Sequence, residues 1–479
     1  MAQSFYFYDV ETSGINPRTS RIMQFAGQRT DLGLKPIADP DNIYVKMTDD
    51  VLPEPDAILI TGITPQKTLA DGISESEFLK YFTNQIAIPG TIFVGFNNVR
   101  FDDEFIRFLH YRNFYDAYEW GWRDNRSRWD ILDLVRMTRA LRPDNIEWPF
   151  GSDGRPSNRL ELLTAVNKLE HDDAHDALSD VSATIAVTRL IQNKQPKLFE
   201  FLLQLRDKKV VSKLVTTNQP FVYCSGKYPS VYEKTSVVVN IGEHPGKQGT
   251  LVYDLRTNPE EVVHLSPAEL AVRWQERVED ETKRFPIKTL QFNRCPAVAP
   301  LGVLDQASQE RVKIDMKLIS QHHKTLKKYK DFHQHLLAAL KIMDKKRQLD
   351  MMPDDQAVDT QLYEGFFAEQ DKTAMSVVRA ADKNDIGSLN ITFSDPRLAH
   401  LLPLYKARNY SDVLSSEERE TWEEFRTRKL LGGGDQSLAA CFFARLANLA
   451  ERVNTSAEEE FILQELQLYA QSILPLPDA

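Results

Sequence analysis

Hydrophobic and polar positions in the first 195 residues alternate in a way that predicts a mixed sheet flanked by helices. Ser4–Val10 is apolar on both faces, as a central buried strand is, and three further apolar segments have strand lengths: Ile22–Thr30, Asn42–Met47 and Thr91–Phe96. Helical periodicity occurs in residues 74–85, 102–113, 131–141, 159–168 and 176–193. Three sequential strands followed by alternating helices and strands favour an α/β domain.

The pattern changes after Lys194-Gln195-Pro196. Residues 220–300 contain short strand-like pieces, such as Ser236–Ile241 and Gly249–Leu255, which Gly, Pro and Asn interrupt. Residues 306–349 are a long basic stretch with helical periodicity, residues 346–358 have the composition of a linker, and the chain from Asp359 onward is helical in pattern. We therefore predict three domains, at residues 1–195, 196–349 and 350–479.

Composition excludes several classes of protein. The 479 residues are 42% hydrophobic and 27% charged, which is ordinary for a globular protein. No apolar run is long enough to predict a transmembrane helix, and no secretory signal is visible. The three cysteines, Cys224, Cys295 and Cys441, lack metal-ligand spacing and fit a reducing compartment, so we expect a cytoplasmic protein without membrane association.

The net charge of −10 conceals an asymmetry among the three predicted domains. The charge is −8 for residues 1–195, +9 for residues 196–349 and −11 for residues 350–479. An acidic total argues against a nucleic-acid partner, but a basic middle third is typical of proteins that bind phosphates. Nucleic acid therefore stays among the candidate partners.

Acidic residues and one histidine stand at the ends of predicted elements. Asp9 and Glu11 lie two residues apart at the end of the first strand, so both carboxylates point to the same side. Asp102 follows the fourth predicted strand and opens a helix, and Asp180 lies one turn into a helix that His175 precedes. Each motif has a structural alternative: a solvated surface pair for the first, helix capping for the second, and a surface histidine beside a capping acid for the third.

The motifs taken together favour chemistry over these alternatives. Two neighbouring carboxylates repel each other unless a cation is present, and hard divalent cations such as Mg²⁺ prefer oxygen ligands. Four carboxylates suit two divalent ions that hydrolyse a phosphodiester, and histidine is a natural general base near neutral pH. The sequence thus predicts a two-metal phosphodiesterase site.

This set resembles the DEDD superfamily of 3′→5′ exonucleases, which have a ribonuclease-H-like fold. D-x-E at Asp9 and Glu11 is similar to its first motif, and N-x-x-x-F-D ending at Asp102 is similar to its second. His175-x₄-Asp180 is similar to its third motif, in the DEDDh variant that uses His as the base. The resemblance implies that Asp9, Glu11, Asp102 and Asp180 are catalytic metal ligands and that His175 is the general base.

Further strings resemble the bacterial exodeoxyribonuclease I family over essentially the whole chain. They are LITGITPQ (59–66), NNVRFDDE (97–104), YRNFYD (111–116), RWDILDL (128–134), HDALSDV (175–181), QLYEGFF (361–367) and ITFSDPR…LLPLYKARNY (391–410). The first motif departs from the family pattern, because Val10 and Ser13 stand where aromatic residues are expected. This departure concerns a base-stacking contact and leaves the metal ligands in place.

The resemblance implies an α/β ribonuclease-H-like exonuclease domain, a barrel-like α+β domain of the Src-homology-3-like type and an all-α C-terminal domain. It also implies a Mg²⁺-dependent 3′-to-5′ exonuclease with two ions per site, for which Mn²⁺ can substitute. Such an enzyme degrades single-stranded DNA processively to 5′-mononucleotides in DNA repair and recombination. The alternatives are the same chemistry on RNA or on misprimed 3′ ends of a polymerase, and a non-catalytic DNA-binding scaffold.

An exonuclease must hold a single strand near its metals, which requires cations and aromatic stacking platforms. Residues 100–142 contain nine arginines interleaved with aromatic residues, although eight acidic residues leave a net charge of only +1. Either these side chains grip DNA, or the aromatic residues are core and the arginines are ion-paired. The resemblance favours Arg128, Arg136, Arg142 and Arg159 as phosphate contacts, and Trp122 is the candidate stacking residue.

Residues 311–349 hold 11 Lys and Arg against 3 Asp and Glu. This basic stretch is either a solvated helix face, a wall that faces nucleic acid, or a docking site for an acidic partner peptide. Lys324, Lys327 and Lys328 can share one helix face and are the candidate contacts. The partner that the resemblance implies is the acidic C-terminal tail of single-stranded-DNA-binding protein, and we expect the chain itself to be a monomer.

Overall fold

The structure is a computed structural model that describes residues 3–170, 176–350, 357–452 and 456–475. Its first part contains the strands β1 (Ser4–Thr12), β2 (Ile22–Thr30), β3 (Asp41–Tyr44), β4 (Thr91–Gly95) and β5 (Ser127–Asp130). These strands form one mixed sheet of order β3-β2-β1-β4-β5. β2 is antiparallel to β1 and β3, whereas β4 is parallel to β1 and β5, so β1 and β4 end at the same edge of the sheet.

Helices cover both faces of this sheet. The helices of this part of the chain are α1 (Pro55–Thr61), α2 (Pro65–Asp71), α3 (Glu75–Tyr81), α4 (Asp102–Arg112), α5 (Ile131–Leu141), α6 (Leu160–Val166), α7 (Ala177–Lys194) and α8 (Pro196–Gln204), and α9 (Lys208–Val215) follows them and packs against the second sheet. Phe5 and Phe7 of β1 belong to the core that contains Val181 of α7. Tyr6 and Tyr8, which alternate with them, belong to a second core with Phe78 of α3. Strand alternation therefore assigns the odd-numbered residues of β1 to the face of α7.

The second part contains the strands β6 (Phe221–Cys224), β7 (Thr235–Glu243), β8 (Gly249–Asp254), β9 (Ile287–Gln291) and β10 (Ala297–Pro300). They form an antiparallel sheet of order β10-β6-β7-β8-β9. Its helices are α10 (Pro267–Gln275), α11 (Gln306–Arg311), α12 (Met316–Leu326) and α13 (Phe332–Asp350). This part is the predicted barrel-like α+β domain.

The last part is helical, as its sequence pattern predicts. Its helices are α14 (Glu369–Ala380), α15 (Pro396–Asn409), α16 (Ser416–Leu431), α17 (Leu438–Ala450) and α18 (Ala457–Ile473). Short 3₁₀ segments occur through the chain, at Glu119–Gly121, Arg123–Asn125, Ser230–Tyr232, Pro259–Glu261, Glu281–Lys283, Leu301–Val303, Val358–Glu364, Ile386–Ser388, Ser411–Val413 and Gly434–Gln436. Within the described ranges, the helices lack the combination of length and apolarity that crossing a membrane requires.

The first part contacts both of the others. One core joins Trp129 and Phe199 of the first part to Val238 of β7 in the second. A separate core joins Ile58 of α1 to Leu446 of α17 and to other residues of the last part. The mixed sheet therefore lies between the antiparallel sheet and the C-terminal helices.

The structure differs from the sequence-based prediction in several elements. β5 is absent from the prediction, because four residues are too few to show alternation. The helix predicted over residues 74–85 is an α-helix only as far as Tyr81, and a π-helical turn, Phe82–Ile86, follows it. The basic stretch 306–349 is three helices, because the chain turns at residues 312–315 and 327–331. Helix α13 extends into the predicted linker 346–358, whose residues 351–356 lie outside the described ranges.

Candidate active site

Asp9 and Glu11 are the last two odd-numbered residues of β1. They continue the row that begins with Phe5 and Phe7, so they lie on the face of the sheet that α7 covers. Asp9 opposes Ala26 of β2 and Glu11 opposes Gln24. Both carboxylates therefore lie on the same side of the strand, as the sequence predicts, and the packing of α7 shows which side this is.

Asp102 reaches the same strand end from the parallel neighbour. It begins α4, a few residues after β4, and is buried. Its Oδ1 accepts a hydrogen bond from the backbone N–H of Val10, with 3.1 Å between Oδ1 and N. Asp102 therefore holds the main chain between Asp9 and Glu11, besides lying at the N-terminus of its helix.

Asp180 enters the site from α7. The helix begins after Asp176, whose Oδ1 accepts hydrogen bonds from the backbone N–H groups of Leu178 and Ser179, both at 3.1 Å. One turn later, one carboxylate oxygen each from Asp180, Asp9 and Glu11 lie within 4.8 Å of one another. His175, the predicted base, lies outside the described residues, next in the chain to Asp176.

The clustered carboxylates shift one another's proton affinities. Burial, followed by the charges of Asp102, Glu11 and Asp180, raises the pKa of Asp9 well above its usual range. Burial and the charges of Asp180 and Asp102 raise the pKa of Glu11 to about 8. Burial also raises the pKa of Asp102 to about 8, against the lowering effect of its backbone hydrogen bonds. Such values mark a site that lacks positive charge.

The donor set fits the divalent metal ions that the resemblance to the DEDD exonucleases implies. Asp9, Glu11 and Asp180 offer carboxylate oxygens only, which are the ligands of hard cations. The mutual repulsion that raises the pKa values of Asp9 and Glu11 is the repulsion that bound cations would cancel. Asp102, buried beside Val10, adds a fourth carboxylate to the same strand end.

A cleft of about 590 Å³ borders this cluster. Asp9 and Asp180 lie in its wall together with Arg136 and Arg159. The second part of the chain contributes Ser230 and Lys234 to the same wall, and Lys234 Nζ lies 3.5 Å from Oε2 of Glu281. The sequence analysis missed these two residues, because no local signal indicates that a distant domain borders the cleft.

The five predicted DNA-binding residues differ in their surroundings. Arg128 is ion-paired with buried Asp103, and Arg136 lies 2.7 Å from Oδ1 of Asp133. Arg142 donates to the carbonyl oxygen of Val303 at 3.0 Å and faces Asp305 at 3.4 Å. Arg159, 70% exposed, pairs with Glu161 at the cleft, and Trp122 is 62% exposed. Of these five residues, Arg136 and Arg159 line the cleft together with Asp9.

The lysines of the basic stretch lie at the end of a helix. α12 ends at Leu326, so the common helical face predicted for Lys324, Lys327 and Lys328 is interrupted after its first member. All three are exposed. Lys327 borders a cavity of about 360 Å³ between this turn and β7, which Lys330, His323 and His333 also line.

Gln24 and Asp176 lie next to the carboxylate cluster, and the sequence analysis did not name them as candidate site residues: Gln24 opposes Glu11, and its Nε2 donates to Oδ2 of Asp176 at 3.3 Å. The only available signal for Gln24 was a polar residue at a position of β2 whose neighbours are apolar. Val10 and Ser13, the departures from the family pattern, are both buried, and Ser13 Oγ accepts a hydrogen bond from the Arg21 N–H at 2.8 Å. They lie inside the fold and present no open face for a base to stack on.

Three protein-family models match the chain in sequence order. They are Exonuclease over residues 6–188, Exonuclease I SH3-like domain over residues 206–341 and Exonuclease I C-terminal domain over residues 356–473. These matches confirm the predicted order of an exonuclease domain, a barrel-like domain and a helical C-terminal domain.

Relatives and solved structures match over almost the whole chain. The exodeoxyribonuclease I of Haemophilus influenzae is 37% identical over 98% of this chain and 99% of its own. The zinc-ion-bound form of the E. coli ExoI–ssDNA complex is 34% identical, with a TM-score of 0.92 over 99% of this chain and 100% of that one. A structure of SSB/exonuclease I in complex with the inhibitor CFAM is 34% identical, with a TM-score of 0.89 over 99% and 100% of the two chains.

Proposed function

We propose a substrate, a direction of attack and a metal for this chain, which belongs to the exodeoxyribonuclease I family and is a nuclease. It degrades single-stranded DNA from the 3′ end, requires Mg²⁺, releases 5′-mononucleotides and works processively in DNA repair and recombination. The observation that carries the proposal is the approach of Asp9, Glu11 and Asp180 oxygens within 4.8 Å, with Asp9 and Asp180 at the wall of an open cleft. We propose the cytoplasm, where bacterial DNA lies, as its location.

Each of the predicted site residues has a separate task in this proposal. Asp9, Glu11, Asp102 and Asp180 hold the divalent ions, and Asp102 also fixes the main chain at Val10 through its hydrogen bond. Divalent ions supply Lewis acidity that activates water and stabilises the leaving oxygen. His175 accepts the proton of the attacking water as general base.

Mg²⁺ is the proposed metal because the donors are carboxylate oxygens, which it prefers. Zinc also accepts such oxygens, and zinc is bound in the E. coli relative. Activity of the metal-free protein after addition of Mg²⁺, Mn²⁺ or Zn²⁺ separates these ions. Mg²⁺ and Mn²⁺ should each restore hydrolysis, and restoration by Zn²⁺ alone would contradict the proposal.

DNA reaches the metals through the cleft, with the phosphates held by arginines. Arg136 and Arg159 line the cleft beside Asp9, so they contact the phosphates next to the cleaved bond. Arg128 and Arg142 extend this contact along the strand, and Trp122 stacks on a base. Each arginine now has an acidic partner, and phosphate binding requires that it exchange this partner for the substrate.

Processive action follows from a strand enclosed by three domains, for which we propose the boundaries 1–195, 196–349 and 350–479. We propose that the chain acts as a monomer.

Its protein partner is the acidic C-terminal tail of single-stranded-DNA-binding protein, which binds at Lys324, Lys327 and Lys328. The lysines and histidines around the 360 Å³ cavity near Lys327 favour an acidic peptide there. A relative's structure is of SSB/exonuclease I.

Single strands labelled at the 3′ or the 5′ end test the direction of attack. The 3′ label should leave as a mononucleotide at the first turnover, whereas the 5′ label should stay on progressively shorter strands. The reverse order would overturn the 3′ assignment. EDTA should stop the degradation of both labelled strands, because the carboxylates bind substrate only through cations.

Substrate class is tested with matched oligonucleotides. Oligo-dT should be hydrolysed faster than oligo-U, whereas the reverse would favour the alternative, the same chemistry on RNA. A blunt duplex should resist digestion and a 3′ overhang should be trimmed back toward the junction, because pairing withholds the bases from stacking. A preference for a mispaired 3′ terminus over a single strand would favour action on misprimed ends.

A further inference from the structure

Gln24 is a polar residue whose neighbours in the sequence of β2, Met23 and Phe25, are buried and apolar. It lies on β2 directly opposite Glu11 and is fully buried, with 0% of its surface exposed. Directly opposed residues of antiparallel strands project to the same face, so Gln24 shares the face of Asp9 and Glu11. Ala26, its neighbour on that face, belongs to the core under α7.

The amide of Gln24 connects the sheet to the beginning of α7. Its Nε2 donates to Oδ2 of Asp176 at 3.3 Å and to Oδ1 of Asn42 on β3 at 2.9 Å. A carboxylate only accepts, so the NH₂ group is the end of the amide that faces Asp176. The other oxygen of Asp176 caps the first turn of α7. Asp176 is therefore held from both sides.

The cost of this arrangement points to function. Gln24 Oε1 is buried and has no hydrogen-bond partner among the described residues. A buried polar atom without a partner destabilises the folded state, and an apolar residue at this position would avoid that cost. Folding alone therefore does not explain a glutamine on the face where Ala26 packs.

We propose that Gln24 is a positioning residue of the nuclease reaction. Through Asp176 it fixes the first turn of α7 and so holds Asp180 against Asp9 and Glu11. This inference rests on the proposed function, because it requires Asp180 to be a metal ligand. It adds a side chain on β2 to the residues that determine the geometry of the site.

The contact between Gln24 and Asp176 is tested by exchanging their amide and carboxylate groups in two steps, which leaves the total charge unchanged when both are made. Gln24→Glu places two carboxylates against each other and should lower kcat on oligo-dT roughly 10–100-fold, the cost of displacing a reacting group by a fraction of an ångström to an ångström. KM should change less than about threefold, because strand contacts lie elsewhere. Adding Asp176→Asn should restore most of kcat, since the Asn amide donates to the introduced carboxylate while its oxygen keeps the cap and the total charge is unchanged.

A second variant separates positioning from stability. Gln24→Leu should lower kcat and weaken Mg²⁺ binding measured by calorimetry, while the melting temperature stays equal or rises because the unpaired oxygen is gone. The matched control is Gln28→Leu, on the same strand face but bonded to the carbonyl oxygen of Ala38, which should keep full activity. Parallel loss of melting temperature and kcat would reduce Gln24 to a structural residue.

The outcomes distinguish this inference from the proposed function. Asp180→Asn is measured beside the Gln24 variants. If Asp180→Asn is inactive but Gln24→Glu and Gln24→Leu match wild type, the positioning inference is wrong and the metal site stands. The same conclusion follows if adding Asp176→Asn to Gln24→Glu restores none of the lost kcat. If Asp180→Asn is active, the proposed function itself is wrong.

Discussion

Asp102 Oδ1 accepts a hydrogen bond at 3.1 Å from the backbone N–H of Val10, the residue between Asp9 and Glu11. One acidic side chain thus fixes the main chain that carries two others. Because β1 and β4 are parallel, the ends of both strands reach the same edge, where ligands of open α/β sheets collect. The contact makes the strand end rigid where ion binding needs fixed oxygens.

Removing a carboxylate of the cluster should remove activity while strand binding survives. We expect Asp9→Ala and Asp180→Ala to lower kcat at least about 10³-fold, since each removes an oxygen that holds a divalent ion. Binding of oligo-dT in EDTA, measured by fluorescence anisotropy, should stay near wild type, because phosphate contacts come from arginines. Asp153→Asn is the matched control, an exposed acidic residue of the same cleft. Wild-type turnover by Asp180→Ala would contradict the assignment.

His175→Ala should lower the rate by roughly 10²–10⁴-fold, the usual contribution of a positioned general base. Mn²⁺ affinity measured by calorimetry should change little, because a base is not a ligand. His171→Ala, a second histidine of the same segment, serves as the control and should keep its activity. A large loss of metal affinity in His175→Ala would make this residue a ligand or a structural residue.

Glu11→Gln should stabilise the metal-free protein while it inactivates the enzyme. Glu11 faces the charges of Asp180 and Asp102, and this repulsion is absent from the unfolded chain. The melting temperature in EDTA should therefore rise above wild type, and added Mg²⁺ should raise it less than in wild type. Glu161→Gln, an acidic residue of the same cleft paired with Arg159, should show neither change. A fall in the metal-free melting temperature of Glu11→Gln would refute the repulsion.

A buried ion cluster should make the contact between the first part and the C-terminal helices sensitive to substitution. Arg408 Nη2 lies 2.8 Å from Asp50 and 2.6 Å from Asp359, and Lys429 Nζ lies 2.6 Å from Asp50. Arg408→Met leaves buried carboxylates without this cation, which costs about 3–5 kcal/mol. Arg445→Met, which removes an exposed contact to Asp56 between the same parts, should shift the urea midpoint much less.

The same cluster predicts a pH dependence. Burial alone would raise the pKa of Asp50, but Arg408, Lys429 and Arg21 hold it well below its usual range. A depressed carboxyl pKa contributes stability above the unfolded value, near 3.9, and loses it as pH falls toward the folded value. The urea concentration at the midpoint of wild-type unfolding should therefore decrease as the pH is lowered below about 4. In Arg408→Met the folded-state pKa of Asp50 should no longer be held as low, so acidification should lower the urea midpoint less than in wild type, and an unchanged profile would contradict this role of Arg408.

Charge reversal at Lys327 and Lys328 should separate recruitment from hydrolysis. We expect the double substitution to Glu to leave cleavage of a very short oligonucleotide nearly unchanged. It should reduce processivity on long strands, stimulation by single-stranded-DNA-binding protein, or both. Added salt should lower the same property of the wild type, because salt screens the attraction between the lysines and an anionic partner. The control is Lys341→Glu with Lys345→Glu, an equal charge change on α13. If processivity on long strands, stimulation by single-stranded-DNA-binding protein and salt dependence all match wild type, the lysines form a solvated surface.

The sequence was sufficient for the fold class, the family and the order of the elements that carry the motifs. Buried strands such as β1 and β2 show long apolar runs, and a long helix such as α7 shows several turns of periodicity, so their signals are strong. β5 and the break after Leu326 were missed, because a four-residue strand and a single turn carry too little periodicity. The roles of Asp9, Glu11, Asp102, Asp180 and His175 stay predictions.

The sequence by itself determined that Asp9 and Glu11 share one side of β1, because alternation along a strand is a local property. Only the tertiary structure decided that Asp102 bonds to Val10, that Lys234 borders the same cleft, and that Gln24 reaches Asp176 from 152 positions earlier in the chain. These contacts join residues that are distant in sequence, and their partners follow from how strands and helices pack. Local periodicity contains no information about such packing, which explains why the sequence analysis did not identify Gln24.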